Sequence, residues 1–112
     1  MFAVTRNYTG ASSLIDAMQQ RHTEVENLIT TVPGFVSYFA VRSDDSLTTF
    51  TVCDDRAGCE ETTRRAAAWV RENLADANIS APSVNSGDVF ISLSGPGVPQ
   101  GLGAAASAHI HS

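Results

Sequence analysis

The side chains that could act on a small molecule are few and are not grouped in one motif. A functional pocket brings several polar groups together, and here the candidates are Asn7, His22, Tyr38 and Arg42. His22 or Tyr38 could transfer a proton, and His22 is the only histidine within the first 93 residues. This sparse set is compatible with an enzyme and with a protein that only binds a ligand.

Two of these candidates also have ordinary structural interpretations. Asn7 stands shortly before Thr9-Gly10, where an asparagine commonly caps a turn. His22 shares the helical spacing of Met18 and Val25, so it could belong to the edge of a core. Both interpretations stay open at the level of sequence.

Cys53 and Cys59 are the only cysteines, and we expect them to be reduced, partly buried thiols. Cys59 falls in the first turn of a predicted helix, where the helix dipole would lower its pKa and favour a nucleophilic thiolate. No histidine lies close to it in sequence to act as a base. Two cysteines six positions apart are not a metal-binding motif either.

Length and charge restrict the class of protein. The 112 residues, 43% of them hydrophobic and 17% charged, are typical of one globular domain. The net charge is −5 and the basic residues are scattered arginines, so we expect neither nucleic acid nor an anionic membrane as partner. No apolar run approaches the roughly 20 residues of a membrane span, and the N-terminus does not resemble a signal peptide. A soluble cytoplasmic protein is therefore expected.

Hydrophobic periodicity divides the chain into strands and helices. Strands are predicted over residues 2–8, 35–42, 47–53 and 89–93. Helices are predicted over residues 13–31 and 57–77, with Pro33-Gly34 ending the first. This order predicts an α+β, ferredoxin-like βαββαβ domain over residues 1–93, with both helices on one face of an antiparallel sheet. Residues 94–112, rich in Gly, Ala and Pro and ending in His-Ile-His, are predicted to be a flexible tail.

The predicted strand over residues 35–42 carries apolar side chains on both faces, although the helices can cover only one. We expect Val36 and Tyr38 on the open face. An exposed apolar patch of this kind exceeds what monomers usually carry, so we predict a homodimer in which two sheets face each other. The alternative is a monomer whose open face is diluted by the threonines of the next strand.

Residues 2–93 resemble the antibiotic-biosynthesis-monooxygenase-like (ABM) domains of the dimeric α/β-barrel superfamily. The resemblance rests on the order of elements, on "VPGFVSYFAVRSDD" before the hairpin, and on "AGCEETTRRAAAWVRENL" as second helix. It implies a dimeric α/β barrel with a pocket between helices and sheet in each protomer. Members of this superfamily differ widely in function, so the fold alone does not select one.

The resemblance also implies roles for two residues, Asn7 and Trp69. Asn7 matches an asparagine that hydrogen-bonds substrate or oxygen in some ABM monooxygenases, and Trp69 matches a tryptophan common in the second helix. Trp69 would wall the substrate ring, although packing between helix and sheet is its structural alternative. Haem-degrading relatives also need a histidine a little further along that helix, but residues 71–78 contain none. We therefore do not expect haem degradation by the known route. The sequence also predicts no other cofactor and no metal site.

Two functions remain as hypotheses. The first is a cofactor-independent monooxygenase acting on a phenolic or polyketide-like substrate, with Asn7, Trp69 and His22 as catalytic candidates. Tyr38 and Arg42 would then contact the substrate, a small aromatic molecule. The second is a non-catalytic, ligand-binding or stress-associated dimer with the same fold.

Overall fold

The computed structural model describes residues 1–95, so the predicted tail lies outside the described residues from residue 96 onward. Its strands are β1 (Phe2–Tyr8), β2 (Phe35–Ser43), β3 (Ser46–Cys53) and β4 (Ser83–Asp88). Its helices are α1 (Ser12–Gln20), α2 (His22–Thr30) and α3 (Arg56–Asn73), and a short 3₁₀ turn covers Ala75–Ala77. None of these helices is both long and apolar enough to cross a membrane.

The strands form one antiparallel sheet in the order β2-β3-β1-β4. Helix α3 packs on the central strands β1 and β3, while α2 contacts α3 and the edge strand β2. Alternate residues of β1 and β3 are buried beneath the helices, as expected when only one face of a sheet is covered. The predicted α+β, ferredoxin-like fold is confirmed.

The first predicted helix is divided into two at Arg21, which has φ −111° and ψ 39°. Between Met18 and Val25 the sequence is entirely polar, so no apolar side chain ties this stretch to the core. The prediction of one continuous helix over residues 13–31 was therefore wrong. As a consequence, His22 is the first residue of a new helix rather than a mid-helix residue. The predicted end of this helical region before Pro33-Gly34 is confirmed, because α2 ends at Thr30 and Gly34 adopts φ +83°.

The last strand differs most from its prediction. The apolar run at residues 89–93 was predicted to form it, but β4 is the polar segment Ser83–Asp88. The register sets Asp88 opposite Phe2, and the Val89 amide donates to the Met1 carbonyl at 2.9 Å. Residues 90–95 therefore extend past β1 and pair with none of the strands in the described part of the chain. Phe90 is consequently 90% exposed.

A bulge between Phe35 and Ser37 reverses the expected faces of β2. Beyond the bulge, Tyr38 pairs with the fully buried Thr51 and lies on the helix-covered face. The expectation that Tyr38 faces a second subunit was therefore wrong. The open face instead carries Phe39 and Val41, which are 52% and 49% exposed.

Helix α3 packs tightly against the sheet at its first turn. Asp55 caps this turn, accepting a hydrogen bond from the Gly58 amide at 3.0 Å. A Cβ at Gly58 would lie 2.8 Å from the Cys53 Cβ and 3.2 Å from the Pro33 carbonyl oxygen. Only glycine allows α3 and β3 to come this close.

Replacing Gly58 with alanine is expected to lower the free energy of unfolding by about 1–3 kcal/mol because of overpacking, although alanine is the better helix former. Urea denaturation measures the change. Gly95→Ala is the control, since a Cβ there meets no atom within 4 Å and Gly95 lies outside the sheet. A Gly58→Ala protein as stable as the native one would show that the approach of α3 to β3 is not tight.

Candidate functional site

A cleft of about 480 Å³ lies between the two N-terminal helices and the edge of the sheet. Helices α1 and α2 form its wall, with Met18, Val25 and Ile29 contributing apolar surface. Strand β2 and Leu47 of β3 form its floor. The size and apolar lining suit a small, flat organic molecule.

Polar side chains surround the mouth of this cleft. His22 lies at the start of α2, and Arg42 lies across from it on the exposed end of β2. Glu26 is the only carboxylate among the described residues that line the cleft. The mouth therefore presents a proton-transfer group and both signs of charge to an entering ligand. Within residues 1–95, no three His, Cys, Asp or Glu side chains group closely enough to hold a metal ion.

The cleft contains three of the five predicted site residues. His22, Tyr38 and Arg42 line it. Trp69 lines only a smaller cavity behind it, and Asn7 lies elsewhere. The structure therefore does not bring Asn7, Trp69 and His22 around one cavity.

Asn7 lies on the opposite face of the sheet because side chains alternate along β1. Its neighbours Arg6 and Tyr8 are buried under the helices, whereas Asn7 is exposed. Its Nδ2 donates to the Thr48 hydroxyl at 2.7 Å, an ordinary cross-strand pair on the open face. Asn7 was expected in the pocket of its own protomer. The alternation along β1 instead places it on the open face, outside the cleft.

Trp69 links α3 to α2 and is only 6% exposed. Its indole Nε1 donates to Glu24 Oε2 at 3.0 Å, which satisfies the one polar atom of a buried tryptophan. The rest of the ring packs in the main core with Leu14, Ile15 and Leu47. Trp69 thus has the structural role that the sequence left open, while one side of it borders the small cavity.

Arg6 is the residue that the sequence analysis missed. It is 2% exposed and donates from Nη2 to Thr62 and Thr63 at 2.9 and 2.8 Å, and from Nη1 to Thr49 and Thr51 at 3.4 Å. Its Nε has no hydrogen-bond partner. Among residues 1–95, no carboxylate lies within salt-bridge distance of it. The signal was present in the sequence, since alternate residues of β1 place Arg6 on the same face as Val4 and Tyr8.

Burial changes the chemistry available to Tyr38. It raises the pKa of the Tyr38 phenol to about 12, against the opposing effect of the Arg6 charge. Tyr38 is therefore protonated near neutral pH and can donate a hydrogen bond, but it is a poor base. Of the two candidate proton acceptors, only His22 keeps that role.

The cysteines are buried thiols rather than nucleophiles. Cys53 and Cys59 are 0% and 2% exposed and are not joined in a disulfide. Burial raises the pKa of Cys59, so the expectation that the helix dipole would lower it was wrong. The Cys59 thiol donates to the Phe2 carbonyl at 3.2 Å, which holds its proton in place.

The free energy of unfolding is expected to fall as the pH rises from about 9 to about 11, on the order of 1–2 kcal/mol from Cys53 alone. Burial raises the pKa of Cys53 from 9.0 to about 11, so the unfolded chain loses this proton first. In that interval the unfolded chain binds fewer protons, and raising the pH favours it. Urea denaturation across the interval measures the slope, and Cys53→Ala should flatten it. Equal slopes in both proteins would contradict the burial of an uncharged thiol.

Comparisons with solved structures identify proteins of similar fold, and some of those proteins are oxygenases. No family model and no curated protein matches the sequence. A protein of unknown function from Nitrosomonas europaea aligns at TM-score 0.65 and 18% identity, over 86% of this chain and 95% of that one. A monooxygenase from Streptomyces coelicolor, solved with nanaomycin D, aligns at TM-score 0.61 and 16% identity, over 84% and 91% of the two chains.

A cofactor-independent oxygenase from Streptomyces nogalater gives a further match. It aligns at TM-score 0.56 and 17% identity, over 82% of this chain and 94% of that one. At such identities the likeness extends to the fold and not to the function. The predicted resemblance to the ABM-like fold is thereby confirmed.

Proposed function

We propose that this chain, which has the fold of the ABM-like domains, binds a small aromatic molecule in the cleft and oxygenates it without a cofactor. The observation that carries the proposal is the composition of the cleft. An apolar wall and floor lie beside His22, which can accept a proton, and Tyr38, which can donate a hydrogen bond. Such a site suits a phenolic or anthrone-like substrate whose own electrons reduce oxygen.

The reaction proposed for such a substrate requires few protein groups. His22 accepts the proton of an acidic CH₂ group, and a hydrogen bond from Tyr38 stabilises the negative charge on the substrate oxygen. The substrate carbanion transfers electrons to O₂, and a C–O bond forms to give a hydroperoxide. The O–O bond then breaks with loss of water and leaves a carbonyl, so that one CH₂ and one O₂ become one C=O and one H₂O.

A non-catalytic ligand-binding protein is the second candidate. Two observations favour it: Asn7 is absent from the cleft, and His22 is exposed at its mouth. In this alternative, the same cleft binds the aromatic molecule and releases it unchanged.

Oxygen consumption with 1,8-dihydroxyanthrone, in the presence of a metal chelator, distinguishes the two candidates. The oxygenase proposal predicts uptake well above the rate in buffer, with one O₂ consumed for each anthrone converted to the anthraquinone. Uptake equal to the buffer rate, together with binding of the anthrone, would favour the non-catalytic alternative.

We also propose that the protein is a homodimer joined through the open face of the sheet. This open face consists of residues from all four strands: Ala3, Thr5, Asn7, Ser37, Phe39, Val41, Thr48, Phe50, Val52, Ser83, Asn85 and Gly87. None of them is charged, although the chain carries a net charge of −5. Charged residues are depleted in the cores of protein interfaces, so this composition supports a buried role.

A second copy of the chain fits this face better than a different partner does. An uncharged face allows two acidic molecules to meet without bringing their charges together. Phe39 and Phe50 are direct cross-strand partners and are 52% and 40% exposed, so they form an aromatic centre that can pack on its own symmetry mate. The apolar residues after β4, which include Phe90, offer further surface to such a partner.

A further inference from the structure

We propose that the Arg6 guanidinium receives an anionic oxygen of the molecule bound in the cleft, so that the ligand is an aromatic carboxylate or phenolate. This inference rests on the ligand-binding part of the proposed function and not on the oxygenation. It is carried by the environment of Arg6 and by the position of the small cavity beside it.

The first observation is a buried positive charge without a counter-ion. The Arg6 side chain is 2% exposed, and none of the carboxylates in residues 1–95 lies within salt-bridge distance. Arginine stays protonated in proteins, and an isolated buried charge is strongly unfavourable. Burial correspondingly lowers the pKa of Arg6. The fold therefore retains a group that an incoming anion would stabilise.

The second observation is that the threonine hydroxyls around Arg6 have a fixed orientation. Thr62 and Thr63 donate their protons to the Cys59 carbonyl at 2.7 and 3.1 Å, so their oxygens accept from Arg6. These neutral acceptors hold the guanidinium in one position but supply no negative charge. The Nε proton is left without a partner. Held in this way, Arg6 has the preorganisation that anion binding requires.

The third observation is a small cavity that Arg6 lines together with Tyr38 and Trp69. Its volume is about 30 Å³, which is enough for a group the size of a water molecule. The cavity adjoins the cleft, because five side chains line both: Met18, Val25, Ile29, Tyr38 and Leu47. The cavity can accept one oxygen atom but no ring, so the ring of the ligand must stay in the cleft. Met18 is unbranched and can move aside to open the way.

The matched probes 2-naphthoate and 2-naphthamide test this inference, because they share a ring system and differ in charge. Isothermal titration calorimetry with the full chain should show the naphthoate binding about 10- to 100-fold more tightly, as expected for a hydrogen-bonded charge. The chain has a single tryptophan, so the indole N–H signal of Trp69 in NMR spectra should shift when the probe fills the neighbouring cavity. Equal affinities for the two probes, or no binding of either, would overturn the inference.

Variants of Arg6 assign the preference to this residue. In Arg6→Met the naphthoate should bind no better than the naphthamide, and thermal unfolding should show an unchanged or higher Tm, because an unpaired buried charge is removed. Arg6→Lys keeps the charge and should keep part of the preference. Arg64→Met removes an exposed arginine that lines neither the cleft nor the small cavity, and it should leave the ratio unchanged. A preference that survives in Arg6→Met would overturn the inference.

A phenolate is distinguished from a carboxylate by proton release. Binding of 2-naphthol near neutral pH, measured in two buffers of different ionisation enthalpy, should release a proton if Arg6 receives the phenolate. Naphthoate should bind without releasing one. If neither probe shows a charge preference while anthrone oxidation proceeds, this inference fails and the oxygenase proposal stands. If the probes show a charge preference but no oxygen is taken up, this inference stands and the oxygenase proposal fails.

Discussion

His22→Gln is expected to lower the rate of anthrone oxidation by about 100-fold, with a much smaller effect on KM, since a general base contributes at least that factor. Glutamine keeps similar size and hydrogen-bonding groups but cannot accept a proton at the required step. Tyr38 cannot replace it, because burial raises the pKa of Tyr38 to about 12 and keeps the phenol protonated. Initial rates of oxygen uptake at several anthrone concentrations separate kcat from KM.

Thr23→Ala is the control for this prediction. Thr23 is the next residue of α2, is exposed, and does not line the cleft. The Thr23→Ala protein should therefore oxidise the anthrone at the native rate. Added imidazole should partly restore activity to His22→Gly, which supports proton transfer rather than a structural role. A His22→Gln protein within twofold of the native rate would exclude His22 as the base.

In the proposed homodimer, Val41→Glu is expected to dissociate the two subunits at micromolar concentration. Val41 lies on the open face, 49% exposed, where a second copy would bury it. A carboxylate buried there would have no partner of opposite charge, because the open face carries no charged residue. The unpaired charge costs several kcal/mol of the free energy of dimerisation, and this loss should be enough to dissociate the dimer at micromolar concentration. Light scattering after gel filtration measures the mass.

Val84→Glu is a closely matched control. Val84 pairs with Arg6 in β4, so it lies on the helix-covered side of the sheet, and it is 54% exposed. The same substitution at a similar exposure should leave the dimer intact. A monomeric native protein, or dissociation by Val84→Glu but not by Val41→Glu, would contradict the proposed interface.

Local patterns in the sequence were sufficient for most of the fold. Strand β1 and the β2–β3 hairpin begin and end near their predicted residues, and helix α3 begins near its own, because turn residues and caps such as Asp55 mark these positions. Helix α3 was predicted to end at residue 77 but ends at Asn73. The break at Arg21 could not be predicted, because no Gly or Pro marks it in the sequence. The prediction placed strand β4 at residues 89–93 because those residues are apolar. The position of an edge strand depends on its pairing with β1, and the polar residues 83–88 make that pairing.

The site was less predictable than the fold because the face of a side chain depends on register. One extra residue in the bulge after Phe35 moved Tyr38 from the open face to the cleft. The same alternation along β1 placed Arg6 inside and Asn7 outside, although the sequence resemblance drew attention only to Asn7. Arginine generally prefers the surface. An isolated arginine at an inward position of a strand is therefore a useful indicator of a candidate site residue.

A crystal structure with anthraquinone-2-carboxylate tests most directly whether the cleft is the functional site. The ring system is predicted to lie between α2 and β2 against Tyr38, with the carboxylate directed toward Arg6. The open face around Phe39 and Phe50 is the competing aromatic surface of the described residues. A ring bound there, with the cleft unoccupied, would contradict the account.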